Sequence, residues 1–242
     1  DECHHAASLS YQRIIEALKP KYLLGLTATP FRGDKISLAP LFGEPVFSMN
    51  VVEGMQHKWL AKVDYRMMTD GIDWEYIKDL SKQGLSIKDL NAHLYVPERD
   101  QGMVKTICET IDKTLKAKTL VFCRSIDHAE RMKKFFKMYD TSAGVIHSQL
   151  HRSEKFTTMT AFRKGVLKVL ISIEMLNEGI DVPDVNIIVF ARVTHSRRIF
   201  LQQLGRGLRL NDDKSDVTVL DFVADVRRVA EGIKMNSDAK KV

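Results

Sequence analysis

The 242-residue sequence predicts an α/β fold in which a parallel sheet is covered by helices on both faces. Short apolar runs alternate with amphipathic stretches of about 10–15 residues, the pattern of parallel strands joined by helical crossovers. The composition agrees, because 44% of the residues are hydrophobic and 28% are charged. Such proportions are those of an ordinary globular protein, and they exclude a disordered tail, a collagen and a disulfide mini-protein.

The sequence pattern of residues 1–59 predicts less regular structure than that of the rest of the chain. Apolar residues recur at helical spacing over Tyr11–Leu18, and the apolar run Tyr22–Leu26 is typical of a short buried strand. Prolines and glycines are frequent over Gly33–Trp59, which indicates irregular structure. We therefore divide the chain into two units, residues 1–59 and residues 60–242.

Strand and helix patterns alternate regularly in the second unit. Strands are predicted at Val63–Met68, Thr119–Cys123, Ala143–His147, Val169–Ile173, Val185–Ala191 and Val217–Phe222, and helices at Ile87–Leu94, Met103–Leu115, Ile126–Tyr139, Ser153–Arg163 and Arg197–Leu208. In an open parallel sheet, ligands bind beyond the carboxyl ends of the strands. The residues directly after each strand are therefore the candidates for a functional site.

Polar residues follow the apolar strands at these positions. In chain order they include Thr27, Thr29, Arg124, Ser125, Ser148, Gly179, Asp181 and Arg192. The predicted helix that follows Arg192 carries Arg206 and Arg209, which are three residues apart and so share one face. Two guanidiniums on one helix face form a clamp for phosphate, because their planar donors match the phosphate oxygens.

Five segments, taken in order, resemble the motifs of superfamily 2 helicases. They are Asp1-Glu2-Cys3-His4 for the DExH box, Thr27-Ala28-Thr29 for motif III, Val121–Ser125 for motif IV, Asn177–Pro183 for motif V and Gln202–Arg209 for the Q-x-x-G-R-x-x-R of motif VI. The last two are most similar to the DNA-acting branch that includes restriction-enzyme motor subunits. The resemblance implies a complete second RecA-like domain at residues 60–242 and the back part of a first one at residues 1–59.

For the nucleotide site, the resemblance implies ATP as substrate and Mg²⁺ as cofactor. Asp1 would hold the Mg²⁺ through a water molecule, and Glu2 would be the catalytic base for the attacking water. Arg206 and Arg209 would act as arginine fingers that stabilise charge on the terminal phosphate. The remaining implied roles are a link between the domains for His4 and Gln202, a ribose contact for Gly179 and Asp181, and coupling for Thr27 and Thr29.

Nucleic acid is expected to cross the same strand ends, held mainly through its backbone phosphates. The candidate contacts are Arg32, Arg124, Ser125, Ser148 and Arg192. The resemblance favours DNA over RNA, with other subunits of a restriction or repair complex as further partners. No apolar run is long enough to span a membrane, and three scattered cysteines indicate a reduced, cytoplasmic setting.

Two features depart from the family pattern. Ile173 stands where many relatives have a phosphate-binding Thr, and the sequence contains no G-x-x-x-x-G-K-S/T phosphate loop. Because that loop precedes the DExH box in the family, we expect this chain alone to hydrolyse little or no ATP.

Three alternatives stay open on the sequence alone. One is a non-catalytic module that binds nucleic acid or a partner, and a second is a motor that acts on RNA. The third is a metal site at Cys3-His4-His5, although adjacent ligands without a second cluster rarely form one.

Overall fold

A computed structural model describes residues 2–27, 38–68, 97–173, 184–191, 205, 207–210, 214 and 216–222. The chain begins with a 3₁₀ helix at Cys3–Ala7. Seven further elements lead to the middle of the sheet: α1 (Leu9–Leu18), α2 (Ala39–Phe42), α3 (Val51–Gln56), β1 (Lys62–Met67), α4 (Pro97–Lys113), β2 (Thr119–Phe122) and α5 (Ile126–Met138). The described elements end with β3 (Ala143–Ile146), α6 (Arg152–Arg163), β4 (Val169–Ser172), β5 (Ile187–Phe190) and β6 (Asp216–Asp221).

The strands form one six-stranded sheet in the order β1-β6-β5-β2-β4-β3. Every described pairing is parallel, and the central strand β2 pairs Thr119 with Val169 of β4 on one side and with Ile187 of β5 on the other. The parallel sheet predicted from the sequence is confirmed, and each observed strand lies within two residues of its predicted bounds.

The sheet is buried on both faces because its strands are apolar at successive positions. In β2, Leu120 and Phe122 belong to the core beneath α3 and α6, whereas Val121 belongs to the core beneath α4 and α5. The first core contains Phe162 and Phe190, which are fully buried, and the second contains Met132 and Phe136, which are also fully buried. This two-sided packing leaves only the ends of the strands for contact with ligands.

The early apolar run Tyr22–Leu26 does not form the predicted buried strand. Its residues are not part of a strand among the described residues, and Leu24 is 75% exposed. A strand needs neighbours that pair with its backbone N–H and C=O groups. Among the described residues, the backbone contact of this run is a hydrogen bond of 2.9 Å from Cys3 N to Leu26 O. The predicted helix at this end is present as α1, but none of its residues is buried.

The boundary of α6 differs slightly from its predicted position. The sequence places Ser153 at its N-terminus, but the helix begins at Arg152, and Glu154 Oε2 accepts a hydrogen bond from the backbone of His151 at 3.0 Å. Gly165, just beyond the helix, has a φ of +75°. That left-handed conformation favours glycine and ends the helix.

Two further predictions concern the cysteines and membrane spans. Cys3, Cys108 and Cys123 are all free thiols. Among the helices that the structure describes, none has the length and hydropathy to span a bilayer.

Replacement of Phe162 by Ala is expected to lower the free energy of unfolding of the chain by about 3–5 kcal/mol, because the fully buried ring would leave a cavity. Phe156 on the same helix is 71% exposed and serves as the matched control. Its change to Ala should alter stability by no more than about 0.5 kcal/mol. Urea denaturation of the three proteins measures both effects, and equal losses for the two variants would contradict the packing.

Candidate functional site

The first polar group of the predicted site joins two segments that are distant in sequence. His4 is 1% exposed, and its Nδ1 atom lies 2.9 Å from Thr27 Oγ1 and 3.2 Å from Glu2 Oε2. Depending on its tautomer, the ring nitrogen donates to the carboxylate or accepts from the hydroxyl. The structure therefore brings together Glu2, His4 and Thr27, three of the residues that the sequence selected.

The next feature of the site is the exposure and the backbone conformation of Glu2. Its side chain is one-third exposed, so the carboxylate contacts both His4 and solvent. Its backbone is left-handed, with φ 51° and ψ 41°, a conformation that costs about 1–2 kcal/mol for a residue with a side chain. Strained positions of this kind cluster at functional sites. A carboxylate in this position can accept a proton from a water molecule.

A second group of contacts fixes the segment around Gly207 and Leu208 against the sheet. A side chain at Gly207 would place its Cβ 2.6 Å from Ile188 Cδ1, so glycine allows the close approach. Leu208 is 2% exposed, and its carbonyl accepts a hydrogen bond of 2.8 Å from Ala61 N. These contacts hold the segment against β5 and the start of β1.

Lys214 stabilises the same segment through hydrogen bonds to two backbone carbonyls. Its Nζ atom donates to Gly207 O at 2.8 Å and to Val185 O at 2.9 Å, and the residue is 7% exposed. Burial lowers the pKa of Lys214 to about 8, and the nearby carboxylate of Asp184 opposes part of that shift. The sequence does not indicate this lysine as a site residue, because nothing in its immediate neighbours marks it as buried.

Arg209 occupies a different position from the one its spacing predicted. The described helical residues of this segment end at Leu208, and Arg209 forms an isolated antiparallel bridge with Leu60. Its side chain is exposed. Arg209 therefore follows the helix instead of lying on its face, because the chain has already turned to pair with the residues that lead into β1.

Arg124, Ser125 and Ser148 lie at the carboxyl ends of β2 and β3, as predicted. Ser125 Oγ accepts a hydrogen bond of 3.2 Å from His128 N, so this hydroxyl caps the first turn of α5. The carbonyl of Ser148 accepts a hydrogen bond of 3.0 Å from Lys155 Nζ, and the residue is exposed. The edge of the sheet thus presents a guanidinium and two hydroxyl groups.

A buried charged cluster beside Arg124 was not found from the sequence. Asp100 of α4 is 1% exposed, and its Oδ1 atom lies 3.3 Å from Nε2 of the equally buried His128. Its Oδ2 atom lies 4.0 Å from Arg131 Nε. Burial lowers the pKa of His128, with Asp100 opposing the shift and the two arginines supporting it. Burial also lowers the pKa of Arg124.

The remaining predicted site residues lie outside the described residues. They are Asp1, Thr29, Arg32, Gly179, Asp181, Arg192, Gln202 and Arg206. In the part of the chain that the structure describes, no group of three or more His, Cys, Asp or Glu side chains is arranged to hold a metal ion. Cys3-His4-His5 therefore does not form such a group with its described neighbours.

Comparison with known proteins identifies two family models in this chain. Residues 102–211 match the helicase conserved C-terminal domain, and residues 1–32 match the res subunit of type III restriction enzymes. The two matches include the segments that resemble the DExH box, motif III and motifs IV to VI.

Several curated proteins are similar over most of the chain. A candidate mitochondrial ATP-dependent helicase of Schizosaccharomyces pombe, irc3, is 31% identical over 95% of this chain and 38% of its own length. The DNA 3'-5' translocase XPB2 of Sulfurisphaera tokodaii is 26% identical over 89% of this chain and 56% of its own length. The EcoAI type I restriction endonuclease subunit of Escherichia coli is 25% identical over 92% and 31%.

Among solved structures, a fragment of a candidate HsdR subunit of a type I restriction enzyme from Vibrio vulnificus has the same fold. The TM-score is 0.67 at 22% identity, over 92% of this chain and 44% of that one. The sheet and its flanking helices therefore have the RecA-like fold. This chain spans only part of each relative named here.

The buried imidazole of His128 predicts a loss of stability in acid. Its folded-state pKa lies below the ordinary value of 6.5, so below about that pH the unfolded chain binds a proton that the folded chain does not. The free energy of unfolding should then fall by up to about 1.4 kcal/mol per pH unit. The groups that face the ring are Asp100, Arg124 and Arg131.

Urea denaturation of this chain across that pH range measures the loss. The change His128→Asn should flatten the pH dependence, whereas the same change at the exposed His57 should leave it as it is. An unaltered slope in His128→Asn would contradict the assignment.

Proposed function

We propose, from the premise that this chain belongs to superfamily 2 of the helicases and resembles restriction-enzyme motor subunits, that the intact protein couples ATP hydrolysis to movement on DNA. The relatives are named as ATP-dependent helicases, as a DNA translocase and as restriction subunits. Because this chain spans less than two thirds of those relatives, the activity is proposed for the whole protein.

The contact of Glu2, His4 and Thr27 is the observation that carries the proposal. It joins the segment that resembles the DExH box to the segment that resembles motif III, through a buried imidazole with two polar partners. The carboxylate of Glu2 is one-third exposed and its backbone is left-handed, and strained positions of this kind cluster at functional sites. In a motor, the same contact transmits a change at the carboxylate to Thr27 and the residues that follow it.

The chemistry of the proposed reaction requires an oriented water and compensation of phosphate charge. Glu2 is proposed to accept the proton of the attacking water, since its carboxylate contacts His4 on one side and solvent on the other. Asp1 is proposed to hold Mg²⁺ through a water molecule, since carboxylate oxygens are ligands that this ion prefers. When bound, Mg²⁺ neutralises charge on the terminal phosphates. Arg206 and Arg209 are proposed to add positive charge there, and Arg209 is exposed and able to do so.

The other contacts are proposed on the family pattern. Gln202 joins His4 between the domains, Gly179 and Asp181 contact the ribose, and Thr29 acts with Thr27 in coupling. DNA runs along the carboxyl edge of the sheet past Arg124, Ser125 and Ser148, with Arg32 and Arg192 as additional contacts. A reduced cytoplasmic compartment and association with other subunits of a restriction or repair complex complete the proposal.

The change Glu2→Gln in the intact protein should lower the rate of ATP hydrolysis by at least about tenfold, because the amide cannot accept the proton of the attacking water. Glu16→Gln makes the same change at an exposed position on α1 and should leave the rate as it is. Steady-state measurement of phosphate release compares the two. Equal rates in both variants would exclude Glu2 as the base.

The 242-residue chain alone should hydrolyse little or no ATP, because its sequence lacks the phosphate loop that cradles the nucleotide. The intact protein should hydrolyse ATP, with DNA as a stronger stimulator than single-stranded RNA of equal length. Absence of hydrolysis by the intact protein would favour a non-catalytic binding module. Stimulation by RNA and not by DNA would favour an RNA-directed motor.

A further inference from the structure

We propose that the stacked rings of His57 and Trp59 form the binding surface for the base of the nucleotide, and that they favour a purine. The inference rests on the proposed function, since it concerns the ATP whose terminal phosphate Arg209 is proposed to contact. It gives that site a surface for the base, and with it a source of nucleotide specificity.

The two rings form an aromatic surface that is open to solvent. Their centroids are 5.2 Å apart, and the ring planes are inclined by 29°. Trp59 is 58% exposed, and His57 is exposed as well. Tryptophan residues are highly buried on average. An indole that is exposed to this degree and already stacked on one neighbour offers its remaining surface to a flat ligand.

A tight turn holds the two rings in place. Lys58, which lies between them, has a left-handed backbone with φ 57°, a conformation that is unfavourable for a residue with a side chain. The backbone N–H of Trp59 donates to Gly54 O at 2.9 Å. Met55, directly after Gly54, is fully buried in the core. The turn is therefore anchored to the fold, and a surface that is already ordered binds a ligand with a smaller entropic cost.

The aromatic turn lies beside Arg209 in the fold. Leu60, the residue after Trp59, forms the isolated antiparallel bridge with Arg209. Ala61 N then donates to Leu208 O at 2.8 Å. Two successive backbone contacts thus hold the turn next to the segment that carries the guanidinium. Trp59 and Arg209 are both exposed.

An aromatic surface next to exposed basic side chains matches the two parts of a nucleotide. A base stacks on an aromatic ring because each has a flat π face. Phosphate oxygens accept hydrogen bonds from guanidinium and ammonium groups, and Arg209 and Lys58 are exposed. A purine has two fused rings and covers more of an indole than a pyrimidine does. These features favour a purine nucleoside triphosphate as the ligand.

The position of the turn separates it from the proposed path of DNA. Trp59 precedes the first residue of β1 and so lies at the amino edge of the sheet. Arg124 and Ser148 follow the ends of β2 and β3, at the carboxyl edge. In a parallel sheet these two edges lie at opposite ends of every strand. The location therefore favours the base of the nucleotide over a base of the bound DNA.

The first test measures hydrolysis by the intact protein as a function of ATP concentration. Trp59→Ala should raise KM at least about fivefold through the loss of stacking. The value of kcat should change by less than about twofold, because the base makes the same contact in the ground state and in the transition state. Trp59→Phe retains a π face and should keep most of the affinity. Phe156→Ala removes an exposed aromatic ring from α6 and should leave both constants as they are.

The second test compares ATP with UTP in the same proteins. The ratio of their kcat/KM values should fall in Trp59→Ala, because the loss of stacking weakens binding of the purine more than that of the pyrimidine. An unchanged ratio contradicts stacking even if KM rises, since both nucleotides are then affected through their shared phosphates. Thermal unfolding of each variant controls for folding. Should Trp59→Ala unfold, Trp59→Leu decides, because it keeps an apolar side chain without a π face and should raise KM in the same way.

The outcomes distinguish the two proposals. If the intact protein hydrolyses ATP but Trp59→Ala and Phe156→Ala have equal KM values, the stacking surface is wrong and the motor proposal stands. If Trp59→Ala weakens binding to single-stranded DNA and keeps its KM for ATP, the surface serves a DNA base and the inference is wrong. If the intact protein hydrolyses no ATP, the proposed function fails and the inference fails with it.

Discussion

The parallel direction of all six strands is the constraint on which the rest of the structure depends. Parallel strands end at the same edge, and the helices that return the chain must cover both faces of the sheet. Both faces are thereby occupied by core packing, and chemistry is left to the loops at the ends. Arg124 and Ser148 come from different strands, yet they lie on one edge because the strands share one direction.

At the amino edge of the sheet, the positive charges of Lys118 and Lys214 stabilise the fold. Lys118 donates to Asp184 Oδ2 and to Arg163 O, and Lys214 donates to two backbone carbonyls. These donors satisfy carbonyl groups at a helix end and at the loops that enter β5 and β6. Their charge is therefore used to join segments of the protein. Lys214 in particular links the segment at Gly207 to the loop that enters β5. The position of Arg209, two residues further along, therefore depends on this buried lysine.

The sequence predicted the elements whose information is local. Each strand of the sheet was identified from a short apolar run, and α5 from its periodic apolar residues, because burial on both faces or on one face leaves a direct pattern. Tyr22–Leu26 has the same pattern and forms no strand, since strand formation depends on neighbours that the run itself does not specify. Arg209 shows the same limit, because its pairing with Leu60 involves a distant segment.

The same limit applies to the candidate site, where contacts between distant residues were predicted only if a family motif records them. The contact between His4 and Thr27 agrees with the family motifs, which record residues that must meet in space. The pair of Asp100 and His128 matches no such motif, and its members come from different helices, so no spacing in the sequence indicates it. The two edges of the sheet then differ in how their cations are used. At the amino edge, Lys118 and Lys214 are bonded to backbone carbonyls and Lys118 also to Asp184. At the carboxyl edge, Arg99 donates to Phe222 O, and Arg131 Nε lies 4.0 Å from Asp100 Oδ2.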